Sequence, residues 1–149
     1  MMPSNMSSPR PSSRAAATQA CPCGRPAVYD DCCGRYHAGP LHLLAPDPES
    51  LMRSRYSAFV KDQRAYLLAT WHPSTRPVEI EPPETGLTWL GLEVRRAPKA
   101  SSNQGLVEFV ARSKWGGRAH RLHEVSRFVF EQGHWYYVDA QGDAAPQTA

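Results

Sequence analysis

All four cysteines of this 149-residue chain lie within thirteen positions, as Cys21, Cys23, Cys32 and Cys33. This cluster constrains the local backbone path, because a metal ion or disulfide bridges would have to draw the sulfurs together. Four thiolates at about 2.3 Å from one ion form a closed tetrahedral site with no open position for water or substrate. The spacing therefore predicts a structural Zn²⁺ site near the start of the chain.

The residues beside the cysteines suit such a site. Gly24 follows the C-x-C pair and can adopt the positive φ that turns backbone N–H groups towards sulfur. A zinc centre with four thiolates carries a formal charge of about 2−. Arg25 and Arg35 flank the ligands, and we expect them to offset that charge from a second layer around the metal.

Three alternatives remain open at the level of sequence. Imidazole also binds zinc, so His37 or His42 is an alternative to Cys33 as the fourth ligand. Disulfide bridges are a second alternative, although neither a C-x-C pair nor a vicinal pair readily meets the required Cα separation. Four free thiols are a third, and in a polar segment they would be open to oxidation.

The pattern C-x-C-x8-C-C-G, with Tyr29 three residues before the third cysteine, resembles the SEC-C motif. This short zinc module occurs at the end of the SecA translocase ATPase and in many bacterial proteins. The resemblance implies a zinc knuckle that binds a macromolecular partner, with Cys or His as fourth ligand. Arg25 and Pro26 stand where SEC-C motifs usually carry Ser-Gly.

Further motifs resemble the YchJ-like family of uncharacterised bacterial proteins, over about residues 21–143. They are PESLMRSRY at 48–56, TWHP at 70–73, LHEVSRF at 122–128 and WYYVD at 135–139. The resemblance implies a central domain with the nuclear transport factor 2-like fold. Such a domain is cone-shaped and encloses a pocket between its sheet and its helices.

The chain is predicted to divide into four segments. Residues 1–20 and 141–149 are expected to be disordered tails, residues 21–46 the zinc knuckle and connector, and residues 47–140 the nuclear transport factor 2-like domain. The first twenty residues lack the apolar stretch of about 7–15 residues that a signal peptide needs, which predicts a cytoplasmic protein. No segment approaches the roughly 20 apolar residues of a membrane span.

Helix signals come first in the second half of the chain. Asp47 and Pro48 are typical of a helix start, and the helix is predicted to run to about Val60. Its apolar face is predicted to contain Met52, Tyr56, Phe59 and Val60. Asp62 is predicted to cap a second short helix that ends before Pro73.

Strand signals follow the helices. Leu90, Leu92 and Val94 alternate with Trp89, Gly91 and Glu93, and a similar alternation continues over residues 107–112. A third strand is predicted over 120–131 and a fourth over 135–138. Helices followed by a meander of strands predict an α+β fold in which a strongly curved antiparallel sheet wraps around the first helix.

A pocket in such a cone has candidate lining residues on both the helices and the sheet. They are Arg53, Tyr56, Trp71, His72, His123, Glu124 and Arg127. Alternation along a strand puts His123 and Glu124 on opposite faces, so they are not expected to form an acid–base pair. Instead, Glu124 is predicted to pair with Arg53 or Arg55 of the first helix.

These patterns lead to one functional prediction and two alternatives. The prediction is a non-enzymatic zinc-binding adaptor that docks a protein partner through the knuckle, with dimerisation through the sheet left open. One alternative is an enzyme or small-ligand binder that uses the cone pocket. The other is a ribosome- or RNA-associated factor using Arg25, Arg35 and His37. The formal charge of +3 includes Arg10 and Arg14 of the tail, so it gives RNA only weak support.

Overall fold

We analysed a computed structural model of the protein, which describes residues 19–141. The predicted disordered tails lie outside the described residues, apart from positions 19, 20 and 141 at their inner ends. A 3-10 turn at Tyr29–Asp31 precedes helices α1 (Gly34–His37), α2 (Pro48–Val60) and α3 (Arg64–Ala69). Strands β1 (Thr88–Arg96), β2 (Gln104–Trp115), β3 (Arg118–Glu131) and β4 (His134–Gln141) follow.

Within the described residues, the strands form an antiparallel sheet in the order β1-β2-β3-β4. Helix α2 lies against this sheet and contributes Leu51 and Tyr56 to the core, where Val107, Phe109 and Phe128 meet them from the strands. The predicted α+β class, with helices first and a meander sheet second, is confirmed. None of the helices within residues 19–141 is long and apolar enough to cross a membrane.

Helix α2 begins and ends where the sequence predicts. The Asp47 side chain accepts a hydrogen bond of 2.7 Å from the Ser50 backbone N–H, and Pro48 occupies the first turn. The burial pattern is different from the predicted one, because Phe59 and Val60 are 39% and 37% exposed.

Serines on the side of α2 away from the sheet are fully buried instead. Ser50, Ser54 and Ser57 lie at spacings of four and three residues and therefore share one side of the helix. The N-terminal segment packs against this side, so α2 is covered on both sides. Small side chains are needed here because a second layer of backbone approaches the helix closely.

The predicted capping role of Asp62 is wrong. Asp62 has φ +56° and lies in the left-handed region at the end of α2, where its N–H donates to the Phe59 carbonyl. Gln63 is the residue that precedes α3. An Asp can adopt this conformation at modest cost, which suits a helix end better than the extended backbone of an N-cap.

A β-bulge changes which side chains of β1 face the core, compared with the prediction. The pairing register with β2 shifts between Trp89 and Gly91. Leu90 is therefore 54% exposed rather than buried, and Trp89 packs edge-on against Tyr56 with ring centroids 5.5 Å apart. One extra residue in a strand reverses the alternation on one side of the bulge.

The segment after α3 joins the sheet edge. The His72 N–H donates to the Tyr137 carbonyl at 2.7 Å, and the Tyr137 N–H donates to the Thr70 carbonyl at 2.8 Å. These two bonds fix Trp71 beside Tyr137, with ring centroids 5.1 Å apart. Trp71 is thereby held at the inner side of the sheet.

Candidate metal centre and cone cavity

The four cysteine sulfurs lie within 4.8 Å of one another, and all four side chains are buried. Cys23 Sγ and Cys32 Sγ are 3.6 Å apart, and all four cysteines are free in this structure. Sulfurs that surround one ion tetrahedrally at about 2.3 Å are about 3.8 Å from each other. The cluster can therefore hold one metal ion after a small contraction.

Local backbone structure places these sulfurs. The Cys21 N–H donates to the Ala27 carbonyl at 3.0 Å, which closes the first turn. Cys32 follows the 3-10 turn, and Cys33 immediately precedes α1. A Cβ at Gly34 would lie 2.8 Å from the Tyr29 carbonyl oxygen, so the position after the second cysteine pair accommodates only glycine without a backbone shift.

Contact between the thiols and their burial strongly change the pKa values of Cys21, Cys32 and Cys33. Hydrogen bonds with Cys23 and Cys33 lower the pKa of Cys21, whereas hydrogen bonding with Cys21 raises the pKa of Cys33. Burial raises the pKa of Cys32 to about 11. The buried cluster thus favours one thiolate that accepts hydrogen bonds from its neighbours. A divalent cation would replace those protons, stabilise all four thiolates, and act as a structural cross-link.

Polar contacts attach the cluster to α2. Arg53 Nη1 donates to the Cys23 carbonyl at 2.7 Å, and its Nε donates to Glu49 at 2.9 Å. Ser57 Oγ lies 3.4 Å from Cys21 Sγ. Arg53, which the sequence suggested for the cone pocket, therefore lies at the interface between the knuckle and the helix instead.

The two flanking arginines have different partners. Arg35 Nε donates to the Cys32 carbonyl at 2.9 Å, close to the metal-binding cluster as expected. Arg25 instead donates to Ser50 Oγ at 3.2 Å and lies 3.6 Å from Glu49. Both arginines contact the protein itself, so neither presents its whole guanidinium to an RNA phosphate.

His37 lies outside the thiol cluster and connects it to α2. Its Nε2 donates to the Ser54 carbonyl at 2.8 Å, and its Nδ1 accepts from the Tyr29 hydroxyl at 2.5 Å. Burial lowers the pKa of His37, which favours this neutral form. Both ring nitrogens are already used in the structure, and His42 is exposed to solvent. The geometry is thus that of a four-cysteine set.

A cavity of about 110 Å³ lies between α2 and the sheet. Tyr56, Trp71 and Glu124 line it, as three of the residues suggested from sequence. Arg55 also lines it, although the sequence suggested this residue only as a partner for Glu124. The sequence did contain a signal for this position, because Arg55 follows the apolar Leu51 by one helical turn and therefore lies on the same side of α2.

The remaining candidates lie elsewhere. His72 Nε2 is 2.9 Å from a Glu131 oxygen at the sheet edge. Arg127 makes two hydrogen bonds of 2.7 Å to Asp139, on the face of the sheet away from the cavity. Neither of them lines the cavity, because their partners hold them at the outside.

Glu124 of β3 faces the cavity, as the alternation along the strand predicted. His123 Nε2 bonds Glu108 at 2.7 Å on the opposite side of the sheet from Glu124, so the predicted separation of His123 and Glu124 is confirmed. The predicted ion pair of Glu124 with Arg53 or Arg55 is wrong, since Arg53 pairs with Glu49 and Arg55 bonds Leu67 and Thr70. Burial alone raises the pKa of Glu124.

A buried four-thiol cluster packed on the first long helix of a curved α+β domain defines a class, the SEC-C motif proteins with a nuclear transport factor 2-like domain. Comparison with solved structures agrees. The solution structure of a SEC-C motif containing protein from Rhodopseudomonas palustris is 33% identical with a TM-score of 0.72, covering 82% of this chain and 97% of that one. The crystal structure of a SEC-C motif containing protein from Psychrobacter arcticus is 32% identical with a TM-score of 0.70, covering 84% and 83%.

Sequence comparison identifies the family. The model of the middle NTF2-like domain of YchJ matches residues 47–140. A UPF0225 protein from Bordetella parapertussis is 62% identical over 120 residues, which is 80% of this chain and 90% of that protein. A UPF0225 protein from Methylibium petroleiphilum is 66% identical over 123 residues, covering 83% and 88%. The chain therefore belongs to the YchJ-like UPF0225 family.

Proposed function

We propose that this protein is a cytoplasmic, zinc-binding adaptor without enzymatic activity, which docks a protein partner through its SEC-C-like knuckle. The observation that carries the proposal is the closed set of four buried thiols, Cys21, Cys23, Cys32 and Cys33. A site of this type has a structural role, because no coordination position is left for a substrate.

The ligand chemistry supports zinc as the metal. Thiolate sets of this kind are typical of structural Zn²⁺ sites. A reducing compartment keeps such thiols available for the metal, which agrees with a cytoplasmic location.

The composition of the cone cavity supports a binding role over a catalytic one. Among the described residues, Glu124 is the sole carboxylate that lines it, and no histidine does. General acid–base catalysis usually needs a second group with a suitable pKa, and burial raises the pKa of both tyrosines of the cavity, Tyr56 and Tyr137, further from neutral pH.

The connector supplies a candidate docking surface. Leu41 and Leu44 of this connector are 43% and 44% exposed beside the knuckle. The backbone between them is ordered by a hydrogen bond from the Leu44 N–H to the Leu41 carbonyl. Two exposed leucines on an ordered turn offer an apolar contact for a protein partner.

Affinity capture with zinc-loaded full-length protein tests this role. A Leu41→Ser/Leu44→Ser variant should lose the specific partner that wild type retains. Leu90→Ser is the matched control, because it removes a leucine that is 54% exposed on β1. A partner list that is identical for wild type and both variants would contradict docking through this surface.

A second candidate, RNA contact, is favoured by one specific observation on the β2–β3 hairpin. The chain has no acidic residue between Glu108 and Glu124, and Lys114, Arg118 and Arg121 lie in this stretch. At the hairpin tip, Trp115 is 38% exposed and stacks on His120. Cations beside an exposed aromatic ring suit a single-stranded nucleic acid.

Fluorescence anisotropy with a single-stranded RNA oligonucleotide tests this candidate. Binding should weaken with salt and fall by about 1–3 kcal/mol in Trp115→Ala. The variant Lys99→Ala removes a cation away from the hairpin and should bind like wild type. RNA affinity that is unchanged by Trp115→Ala would remove the hairpin from consideration.

A further inference from the structure

The cone cavity contains a buried cation that makes no salt bridge within the described part of the chain. Arg55 is only 4% exposed, and burial lowers its pKa to about 10, so it remains charged at neutral pH. Its Nη1 donates to the Leu67 carbonyl at 2.8 Å and to Thr70 Oγ1 at 2.6 Å. Among residues 19–141, no carboxylate pairs with it, and its Nε and Nη2 have no protein acceptor and keep some accessible surface. A buried guanidinium is costly unless an anion or further acceptors satisfy it.

Aromatic rings hold this guanidinium in a fixed position. Its central carbon lies 4.5 Å from the Tyr137 ring centroid and 5.1 Å from that of Trp71. Both contacts are within the range of cation–π interactions. The charge is therefore pre-organised at the cavity wall.

One unpaired nitrogen and one acid belong to the walls of the same cavity. Trp71 Nε1 is the buried side-chain nitrogen that lacks an acceptor in the described part of the chain, and it has almost no accessible surface, so it lies behind the wall that the Trp71 ring forms. Glu124 lines the sheet side and has no salt-bridge partner among the described residues. The cavity walls otherwise consist of apolar and aromatic side chains, among them Met52 and Phe109.

The size of the cavity limits what it can bind. Its volume is about 110 Å³. An engineered apolar cavity of about 150 Å³ in another protein holds one benzene molecule. The present cavity is smaller, so a nucleotide or a sterol is far too large, a single ring is the upper limit, and a short branched chain is of the right size.

We propose that this cavity binds a small carboxylic acid with a compact apolar body, whose carboxylate pairs with Arg55. A guanidinium presents a planar fork of donors that matches a carboxylate. The apolar body packs among the aromatic walls, and a hydroxyl on it would donate to Glu124. The cavity is separate from the knuckle surface, and its occupancy does not depend on partner docking.

Two-dimensional ¹⁵N–¹H NMR of the zinc-loaded full-length protein tests this proposal with benzoate as the probe. The chain has four tryptophans, so the indole N–H signals are few, and Trp71→Phe identifies the one from Trp71. Benzoate should shift that signal saturably, with a Kd in the millimolar range typical of so small a probe. Benzamide, its neutral isostere, should bind at least about tenfold more weakly.

Two arginine-to-lysine variants of α2 distinguish binding of benzoate at Arg55 from a nonspecific effect of substitution in this helix. Arg55→Lys replaces the planar fork with a point charge and should weaken benzoate by about tenfold. Arg53→Lys is the matched control, because Arg53 contacts Glu49 and the Cys23 carbonyl outside the cavity, and it should leave the affinity unchanged. If Arg55→Lys does not fold, Ala111→Val keeps the test valid, because it narrows the cavity and should still weaken benzoate.

The proposal is overturned if benzoate causes no saturable shift of the Trp71 signal, or if benzamide binds equally well. It also fails if a folded Arg55→Lys variant binds benzoate like wild type. A crystal soaked in benzoate that shows only water beside Arg55 would overturn it as well.

Discussion

Single polar side chains attach the cysteine cluster to α2. Arg53 reaches the Cys23 carbonyl, His37 reaches the Ser54 carbonyl, and Ser57 lies against Cys21. Each contact pairs a buried polar group whose loss would leave its partner unsatisfied. The cysteine cluster and these polar contacts thus belong to the same interface.

The role of His37 can be tested by substitution. His37→Ala should retain about one zinc per chain, because the ring nitrogens bond Tyr29 and Ser54 rather than the metal. It should lower the free energy of unfolding by about 1–3 kcal/mol, since the Ser54 carbonyl loses its donor. Metal analysis and denaturant unfolding measure the two effects. His42→Ala, at an exposed position, is the control, and loss of zinc in His37→Ala would contradict the assignment.

Glu124 provides a test that depends on pH. Its folded-state pKa is raised above 4.5 by burial, so ionisation costs stability as pH rises through that folded value. Glu124→Gln should therefore be more stable than wild type at about pH 8, and the difference should vanish below about pH 4.5. Thermal unfolding of both proteins across this range measures it. The exposed Glu79→Gln should show no such trend, and an equal stability of wild type and Glu124→Gln at every pH would refute the prediction.

At the scale of elements, α2 is the helix on which both parts of the described chain depend. Its Leu51 and Tyr56 face the sheet, and its buried serines face the knuckle. Its start, its end and the strand order followed from local signals such as Asp47-Pro48 and the alternation in β2. The burial of Ser54, Ser57 and Arg55 could not be predicted, because it depends on a second layer that packs from a distant part of the chain.

The cysteine cluster could be predicted because all four residues lie within one short stretch of sequence. The cavity was predictable only in part. Alternation placed Glu124 correctly, but the bulge at Trp89 and the attachment of Trp71 to β4 are tertiary features. Long side chains such as Arg53 and His72 find partners that sequence spacing does not reveal.

Tight packing between α2 and the knuckle predicts the effect of a larger side chain. Ser57→Leu should lower the free energy of unfolding by about 1–3 kcal/mol, because this site is fully buried beside Cys21. It should also speed the loss of zinc to a chelator. Val60→Leu enlarges an exposed position of the same helix and should change neither quantity. A Ser57→Leu protein as stable as Val60→Leu would indicate that the knuckle does not pack tightly there.

For the molecule as a whole, the knuckle and the sheet depend differently on the metal. The sheet has its own core, with Val107, Phe109 and Phe128 on the far side of α2 from the cysteines. Within residues 19–141, the cysteines form a small cluster of their own, and Ala27 and Tyr29 are the partly buried apolar side chains packed against it. Metal binding should therefore govern the order of the N-terminal segment more than that of the sheet.

Hydrogen exchange after chelation tests this difference. Removal of the metal should increase amide exchange over residues 19–37 and along the knuckle side of α2, while β2 and β3 keep their protection. The metal-loaded protein at the same pH is the reference. An equal loss of protection throughout residues 19–141 would mean that the metal stabilises the entire fold. Unchanged exchange would mean that the metal does not stabilise the N-terminal segment.

X-ray absorption at the zinc edge on the purified protein tests the central claim most directly, because it reports the atoms bound to the metal. Four thiolates from Cys21, Cys23, Cys32 and Cys33 predict a single shell of four sulfurs at about 2.3 Å. A shell that contains nitrogen at about 2.0 Å would mean that histidine replaces a cysteine. Protein from zinc-supplemented cells that carries no metal and four reactive thiols would contradict the claim altogether.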